Sequence, residues 1–355
     1  MIIERVDTKD KYEGLRDLWC RVFGDEPGFV DFFYRSFVED IEGYVICNDA
    51  GKVISALTCF RCGVFRDAAG EAGGNAEGLP VYVSYAICTD PEYRGHGYAA
   101  ALTEYVRDVV TAPSGSVLHE EDDGRPDAEG LGGISLVSPA EESLIGYYDR
   151  LGYRAAFTAG EHMVFRGNGD TGFEDTYAAT GDTRIWGLDA DGNAGFLDEE
   201  DGEAFEPALS VESVSGSMYN KYREEFLPDI PHVEMGPDMM EFLRADGDGG
   251  LLVINGGDAI CRVAYAGESC AEDGMGSDET AAGKTVMLDE LLVNPQLKAF
   301  SEEIEEEIAL RLAEYFGVES LVYRTPGPGQ CQSMSAEADD AEAVTEGAYF
   351  GFPIE

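Results

Sequence analysis

The stretch from Val81 to Val110 constrains the chain more than any other. A β-rich run, Val-Tyr-Val-Ser-Tyr-Ala-Ile-Cys-Thr, ends at Asp90-Pro91, and a loop then carries Arg94, Gly95 and Gly97. Leu102, Val106, Val109 and Val110 follow with helical spacing. The order is strand, glycine loop, helix. Glycines let consecutive backbone N–H groups converge on one point, and the first turn of a helix leaves its own donors unpaired, so this junction suits an anion such as pyrophosphate. It is not a Walker loop, because no Gly-Lys-Ser/Thr follows, nor a dinucleotide fingerprint, which needs a third glycine. The plain alternative is an ordinary strand-to-helix turn.

A second motif lies downstream. Ile134 to Val137 reads as a strand, and a helical segment then ends in Tyr148-Asp-Arg-Leu-Gly-Tyr153. Arg94-x-x-Gly97-x-Ala99 resembles the acyl-CoA loop of the GNAT family of N-acetyltransferases, written Arg/Gln-x-x-Gly-x-Gly/Ala, and the second motif resembles that family's Tyr-Glu-Lys-Leu-Gly-Phe. Both occur in the right order, so together they are more specific than either alone. The resemblance implies an α/β fold of the α+β kind with a mixed sheet, acetyl-CoA as cosubstrate, no metal, and direct attack of a primary amine on the thioester in a ternary complex. It implies that the strand backbone at Ile87, Cys88 and Thr89 holds the pantetheine, and that Arg94, Gly95, His96, Gly97, Tyr98 and Ala99 bind the pyrophosphate. Tyr148 is implied as the general acid for the departing thiolate. A phenol with an ordinary pKa near 10 is suitably matched to a thiol. Its plain alternative is a helix tyrosine packed on the sheet. Glu141 stands where many members carry Asn, so a cofactor contact by that side chain is left open.

At 355 residues the chain exceeds one typical domain, and two are expected. No stretch approaches a membrane span and the start lacks signal-peptide character, which gives a cytoplasmic expectation without a membrane partner. A formal charge of −47 argues against nucleic acid and would concentrate cationic small molecules. Because Asp and Glu are spread along the whole chain and Lys is rare, adaptation to high salt or an acidic proteome is favoured over substrate steering. Cys59 and Cys62 form the one close cysteine pair; in a strand their odd spacing puts them on opposite faces, as two buried thiols rather than a zinc or redox site. A homo-oligomer is left open.

In chain order, Ile2 to Val6 reads as a strand, and Asp10 with Glu13 as the cap of a helix with apolar Leu15, Leu18, Trp19, Val22 and Phe23, closed by Gly24. Pro27 opens an aromatic helix with Phe29, Phe32, Phe33, Tyr34 and Phe37; by the resemblance these two helices flank the acceptor cleft, though packing is the default for each ring. Tyr44 to Cys47 and Val53 to Phe60 form a hairpin. Residues 67–79 read as a loop, and the acidic run from His119 as a solvated insertion without chemistry.

From Thr158 to about Asp182 the pattern dissolves into Gly, Asp and Thr, and a linker at 167–182 divides the chain into domains at 1–166 and 183–355. The second half repeats the order of the first: helical patterns at Met218 to Phe226 and Pro237 to Leu243, a hairpin from Leu251 to Tyr265, a run Val286 to Pro295 echoing Val81 to Pro91, and a helix with Ile304, Ile308, Leu312 and Tyr315 closed by Gly317 before a strand from Val318 to Arg324. After Pro295 comes Gln-Leu-Lys-Ala-Phe-Ser with no glycine, so the copy lacks an anion loop. A first half with an acyl-CoA loop and a degenerate second half resembles the Eis-like branch of GNAT proteins, in tandem. That branch implies the terminal carboxylate, here the α-carboxylate of Glu355, as general base; a last strand completing a sheet is the equal alternative. Two function classes stay open: an N-acetyltransferase, and a non-catalytic acyl-CoA sensor or scaffold.

Overall fold

The computed structural model describes residues 1–67, 78–118, 124–165, 185–188, 194–197, 209–246, 250–268, 284–298, 303–337 and 348–351. The segment 167–182, most of the 67–79 loop, residues 119–123 and Glu355 lie outside the described residues. In the first half, β1 (Ile3–Arg5) leads to α1 (Lys9–Phe23) and α2 (Pro27–Ser36). Three strands follow, β2 (Ile41–Cys47), β3 (Val53–Arg66) and β4 (Leu79–Thr89), before α3 (Tyr98–Thr111). The half continues with β5 (Val117–Leu118), β6 (Ala128–Glu129), β7 (Ile134–Val137), α4 (Ile145–Arg150) and β8 (Arg154–Phe165).

The hairpin β9 (Ile185–Leu188) and β10 (Ala194–Leu197) comes next. Then come β11 (Val211–Ser213), α5 (Gly216–Phe226), β12 (His232–Met235), α6 (Pro237–Asp246), β13 (Gly250–Ile254), β14 (Ala259–Glu268) and β15 (Lys284–Val293). The short helix α7 (Pro295–Lys298), α8 (Ile304–Phe316), β16 (Ser320–Pro326) and β17 (Gln330–Ala336) complete the described elements.

The sequence-level reasons for these elements hold, with corrections. Leu15, Leu18 and Trp19 are buried as their helical spacing requires, and Gly24 at φ 86° closes α1. The cap of α1 is Thr8, whose Oγ1 accepts the Lys11 N–H at 3.4 Å, and not Asp10, which lies inside the first turn. Phe23 is 50% exposed rather than core. The insertion after His119 is not wholly unstructured, because β6 pairs with β5 and Ala128 is buried. Cys59 and Cys62 do face opposite ways, into separate apolar clusters, and burial pushes both thiols up.

One 13-stranded sheet joins both halves, in the order β1-β2-β3-β4-β7-β17-β8-β16-β15-β14-β13-β11, with β12 paired to β3. The order reads alike from either end. From β1 four strands lead to a parallel pair, β4 with β7; from β11 four lead to the parallel pair β15 with β16. Each half then receives a strand from the other: β17 lies between β7 and β8, and β8 lies between β17 and β16. Neither half completes its sheet from its own residues.

Hydrogen bonding also closes a circuit across the junction. Residues 63–65 of β3 pair with β4 on one side and β12 on the other. From β4 the ladder passes through β7 and β17 to β8, whose Phe157 bridges Ala348, and Tyr349 next to it bridges His232 of β12. The segment at residue 348 is therefore the closing strand. Phe65, Phe157, Val233 and Phe350 pack in the largest core, with the Phe157 ring 5.9 Å from that of Phe350 and 6.4 Å from that of Phe65. Burying side chains of this size contributes about 1.5–3 kcal/mol each, which makes the junction a main core and not a contact between finished domains.

Candidate active site

β4 and β7 run parallel only through Val81–Ile134 to Val83–Leu136. Beyond Val83 no described strand pairs with β4 on that side, so the groups of residues 84–89 that face the gap are open to a ligand, as on any sheet edge. At the point of divergence β4 carries a bulge: Tyr85 opposes Thr58 and Cys88 opposes Ala56, so two residues stand against Leu57 alone. Ala86 there adopts φ 50°, the left-handed region that costs a residue with a Cβ about 1–2 kcal/mol. Bulges re-aim backbone groups and recur beside active sites.

The loop after β4 is held from beneath. Asp90 accepts the Glu92 N–H at 3.2 Å and meets Lys52 at 2.8 Å and Arg21 at 3.1 Å; these bonds keep its carboxyl below the usual range, the Lys52 contact first. Gly95 (φ 81°) and Gly97 (φ 79°) both sit in the left-handed region, and a Cβ built on either meets nothing within 4 Å. Gly97 caps α3 and its carbonyl accepts the Ala101 N–H at 3.0 Å, the start of the helix. The glycines thus serve backbone conformation with open space above them, which is what a cradle for an anion requires. Arg94 Nε donates to the Thr89 carbonyl at 3.3 Å, and the His96 ring stacks on Tyr98 with Nδ1 at 3.0 Å from the Tyr93 carbonyl. Ala99 lies in the first turn of α3.

The side chains of the strand segment diverge. Ile87 lines the cavity described below, whereas the Cys88 thiol is buried in the core with its pKa pushed up to about 12 by desolvation, so Cys88 can offer a ligand its backbone only. The Thr89 hydroxyl lies 2.9 Å from that of Ser55. Glu141 sits at the entry to α4 and accepts the Ser143 hydroxyl at 2.7 Å. It lines a second cavity of about 350 Å³ beside Glu161, Arg324 and Gln332.

Tyr148 projects from α4 into a cavity of about 720 Å³ that also takes in Ser84 to Ile87 of the bulge. The residue is 8% exposed, and its hydroxyl makes no hydrogen bond among the described residues. Desolvation pushes the phenol pKa up to about 12. Tyr147 and Tyr153 pack edge-on against its ring, at 5.1 and 6.1 Å.

The rest of the cavity comes from both halves. Trp19, Phe23, Phe29 and Tyr85 form one side with Phe242 and Leu243 of α6. Phe33 behind them is fully buried, stacked 5.0 Å from Tyr85, so the aromatic helix α2 divides between cavity lining and core. Arg262, Asp289 and Arg324 also line it, with Arg262 Nε donating to the Leu243 carbonyl at 3.3 Å: Arg262 bonds Asp289, whose other oxygen is 3.6 Å from Arg324. Asp246 is 3.5 Å from Arg262. Asp25 accepts the Trp19 indole N–H at 2.6 Å and pairs with no cation among the described residues. No sequence signal singles out Asp25, one of 71 acidic residues. Among the described residues no group of three or more His, Cys, Asp or Glu could hold a metal ion, and no helix is long and apolar enough to cross a membrane.

Residues 5–112, which hold the bulge, the glycine loop and α3, match the family described as Acetyltransferase (GNAT) domain. No curated protein matches the sequence. Among solved structures, a probable N-acyltransferase from Enterococcus faecalis is similar at TM-score 0.56 and 12% identity, covering 95% of this chain and 72% of that one. A GCN5-related N-acetyltransferase from Anabaena variabilis gives TM-score 0.54 and 13% identity over 94% and 72%. The fold is GNAT-like. Eis1 from Mycobacterium abscessus gives TM-score 0.47 and 13% identity over 97% and 68%. At these identities the GNAT-like likeness concerns the fold, and the chemistry has to be argued from the site.

Proposed function

We propose that the chain is an acetyl-CoA-dependent N-acetyltransferase acting on a primary amine. The observation that carries this is that β4, where it leaves β7 at the Ala86 bulge, lines one cavity with Tyr148 and leads on to the left-handed Gly95 and Gly97 at the head of α3, whose Ala100 packs against the Tyr148 cluster. Arg94 to Ala99 would hold the pyrophosphate with backbone N–H groups and the α3 dipole, and the free edge at Ile87, Cys88 and Thr89 would hold the pantetheine. When bound, acetyl-CoA supplies an activated acyl group. A neutral amine forms the new C–N bond at the thioester carbon as the C–S bond breaks. Tyr148, uncharged below a pKa of about 12, gives its proton to the departing sulfur. Among the described residues no Cys–His pair lines the cavity, in keeping with direct transfer without an acyl-enzyme.

Asp25, Phe29 and Phe242 of the cavity lining are the acceptor side in this reading. Asp25 would attract the amine in protonated form, and the α-carboxylate of Glu355, carried over from the Eis-like branch, would take its proton. The palindromic strand order supports a tandem arrangement of two GNAT-like halves. In the second half, the pairing of β15 with β16 ends at Leu288, and the next residue, Asp289, is paired with Arg262 and Arg324. Leu297 of α7 is buried where the first half has its glycine loop, which supports one cofactor site and a degenerate copy.

Free-thiol release from acetyl-CoA with a panel of polyamines, aminoglycosides and lysine peptides tests the proposal. Amine-dependent release is expected. Tight acetyl-CoA binding without release under any amine would make the protein a sensor or scaffold instead. Asp25→Asn should raise KM for a cationic amine about two- to fivefold, the worth of up to about 1 kcal/mol from one solvent-screened charge pair, with kcat little changed. An unchanged KM would remove Asp25 from the acceptor side.

A further inference from the structure

β17 carries a bulge of its own. Cys331 opposes Thr158 of β8 and Ser333 opposes Phe157, the next residue, so Gln332 is the extra residue between them. Bulges free a side chain from the alternation of its strand. Gln332 lines the second cavity, of about 350 Å³, together with Glu141, Glu142, Ile145, Glu161 and Arg324. It is 6% exposed, and neither its Oε1 nor its Nε2 has a hydrogen-bond partner among the described residues. Whichever way the amide is turned, a buried acceptor and a buried donor stand unsatisfied side by side. Such a group is costly to keep, and an apolar residue of like size would avoid the cost. The two cavities also share a wall: Ala140 and Arg324 line both, and Arg324 is held there by Glu161, which accepts its Nε–H at 3.3 Å, and by Asp289 at 3.6 Å.

The partner this amide lacks has to donate and accept at once. An ammonium only donates, and would leave Nε2 unpaired. A carboxylate only accepts, and would meet Glu141, Glu142 and Glu161 with their own sign of charge. Those three acids are exposed; Glu141 already accepts the Ser143 hydroxyl at 2.7 Å and Glu161 the Arg324 Nε–H, so solvent and standing partners weaken their pull on a cation. Leaving a buried amide unpaired costs more than such screened pairs return. A hydroxyl has both functions on one atom and cannot lie in line with Oε1 and Nε2 together. A carboxamide has them on two atoms spaced as those of Gln332 are, and carries no charge.

We propose that Gln332 is the specificity-determining residue of a second acceptor subsite, which takes a carboxamide carried by the amine substrate while the amino group stands at Tyr148. This rests on the acetyl-transfer reading. The substrate class is then an amino amide, with a primary amine at one end and an uncharged amide at the other, rather than a diamine or an amino acid. Gln332 pairs with the amide and takes no part in the transfer of the acetyl group.

Three acceptor series matched in spacer test this: ω-amino carboxamides, α,ω-diamines and ω-amino carboxylates, each assayed by free-thiol release from acetyl-CoA with the full chain. At the best spacer the amide should exceed both counterparts at least about tenfold in kcat/KM, because a site built to hydrogen-bond a group rejects analogues that lack it. Gln332→Leu should erase that preference by lowering kcat/KM for the amide about tenfold, with the diamine little changed, acetyl-CoA affinity kept and the melting temperature at or above wild type, since leucine gives up no bond. Gln332→Glu keeps an acceptor and trades the donor for a charge, so it should move the preference to the diamine. An amide no better than its counterparts at any spacer, or a preference that survives in the Leu variant, overturns the proposal. A fall in acetyl-CoA affinity would give the cavity to the cofactor, and a Leu variant melting well below wild type would show the amide bonded within the fold; either result overturns it too. Should the wild type release no CoA with any amine, the acetyl-transfer reading falls by itself, and calorimetry with the amino amides then decides: weaker binding to the Leu variant keeps the subsite, and equal or absent binding removes it.

Discussion

Replacing Tyr148 by Phe is expected to lower turnover by about 10²- to 10⁴-fold while acetyl-CoA affinity holds, because the change removes a proton donor and almost no contact area. The ring would keep its edge-on neighbours Tyr147 and Tyr153. Stability should hardly move, since the hydroxyl makes no hydrogen bond among the described residues. The pH profile adds a second check. Burial raises the phenol to about 12, so the acid form persists below that value and is lost only as pH rises through it. The wild-type rate should therefore show no alkaline limb from this group between pH 7 and about 10, and the Phe variant should be low at every pH. Wild-type turnover in the Phe variant would reduce Tyr148 to a packing residue. Tyr147→Phe is the control, because the neighbouring side chain points about 100° away on an ideal helix.

Gly97→Glu should abolish measurable acetyl-CoA binding. Two effects act together and can be separated. A residue with a Cβ at φ 79° costs about 1–2 kcal/mol of backbone strain, small against a typical domain stability of about 5–15 kcal/mol, so the variant should fold. The carboxylate is the larger effect, since it occupies the space above the loop with the charge of the phosphates themselves. Gly97→Ala isolates the strain: nothing lies within 4 Å of the added Cβ, so it should bind within about tenfold of wild type. Calorimetry giving equal affinities for the folded Glu variant and wild type would remove the loop from the cofactor site.

Local chemistry made much of this legible in the sequence. Most periodic apolar residues of α1, α3 and α8 are buried because a helix with one apolar stripe has one way to hide it, while Phe23 and Tyr315 at the ends of their patterns are exposed. Gly24, Gly97 and Gly317 stand where positive φ is needed, and Tyr148 falls on a helix facing the glycine loop's strand. These follow from residues within a few positions of one another. The closing strand, the donation of β17 into the first half and the placing of Asp25, Arg262, Asp289 and Arg324 around one cavity do not. The segment Gln330–Ala336, with its polar Gln and Ser residues, carries only a short alternation at Met334 and Ala336 to mark it as a strand; in the fold it fills the slot between β7 and β8, whose backbone groups it pairs. Asp25 looks like any other loop acid among 71 until α6 of the second half packs across the aromatic helix of the first. The bulge at Ala86 has no residue signature either, since an alanine at φ 50° is imposed by the ladder around it and not chosen by its own preference. Anion loop, helices and hairpins were thus written in short-range sequence, while the acceptor cavity and the junction that carries it exist only where distant strands satisfy one another's hydrogen bonds.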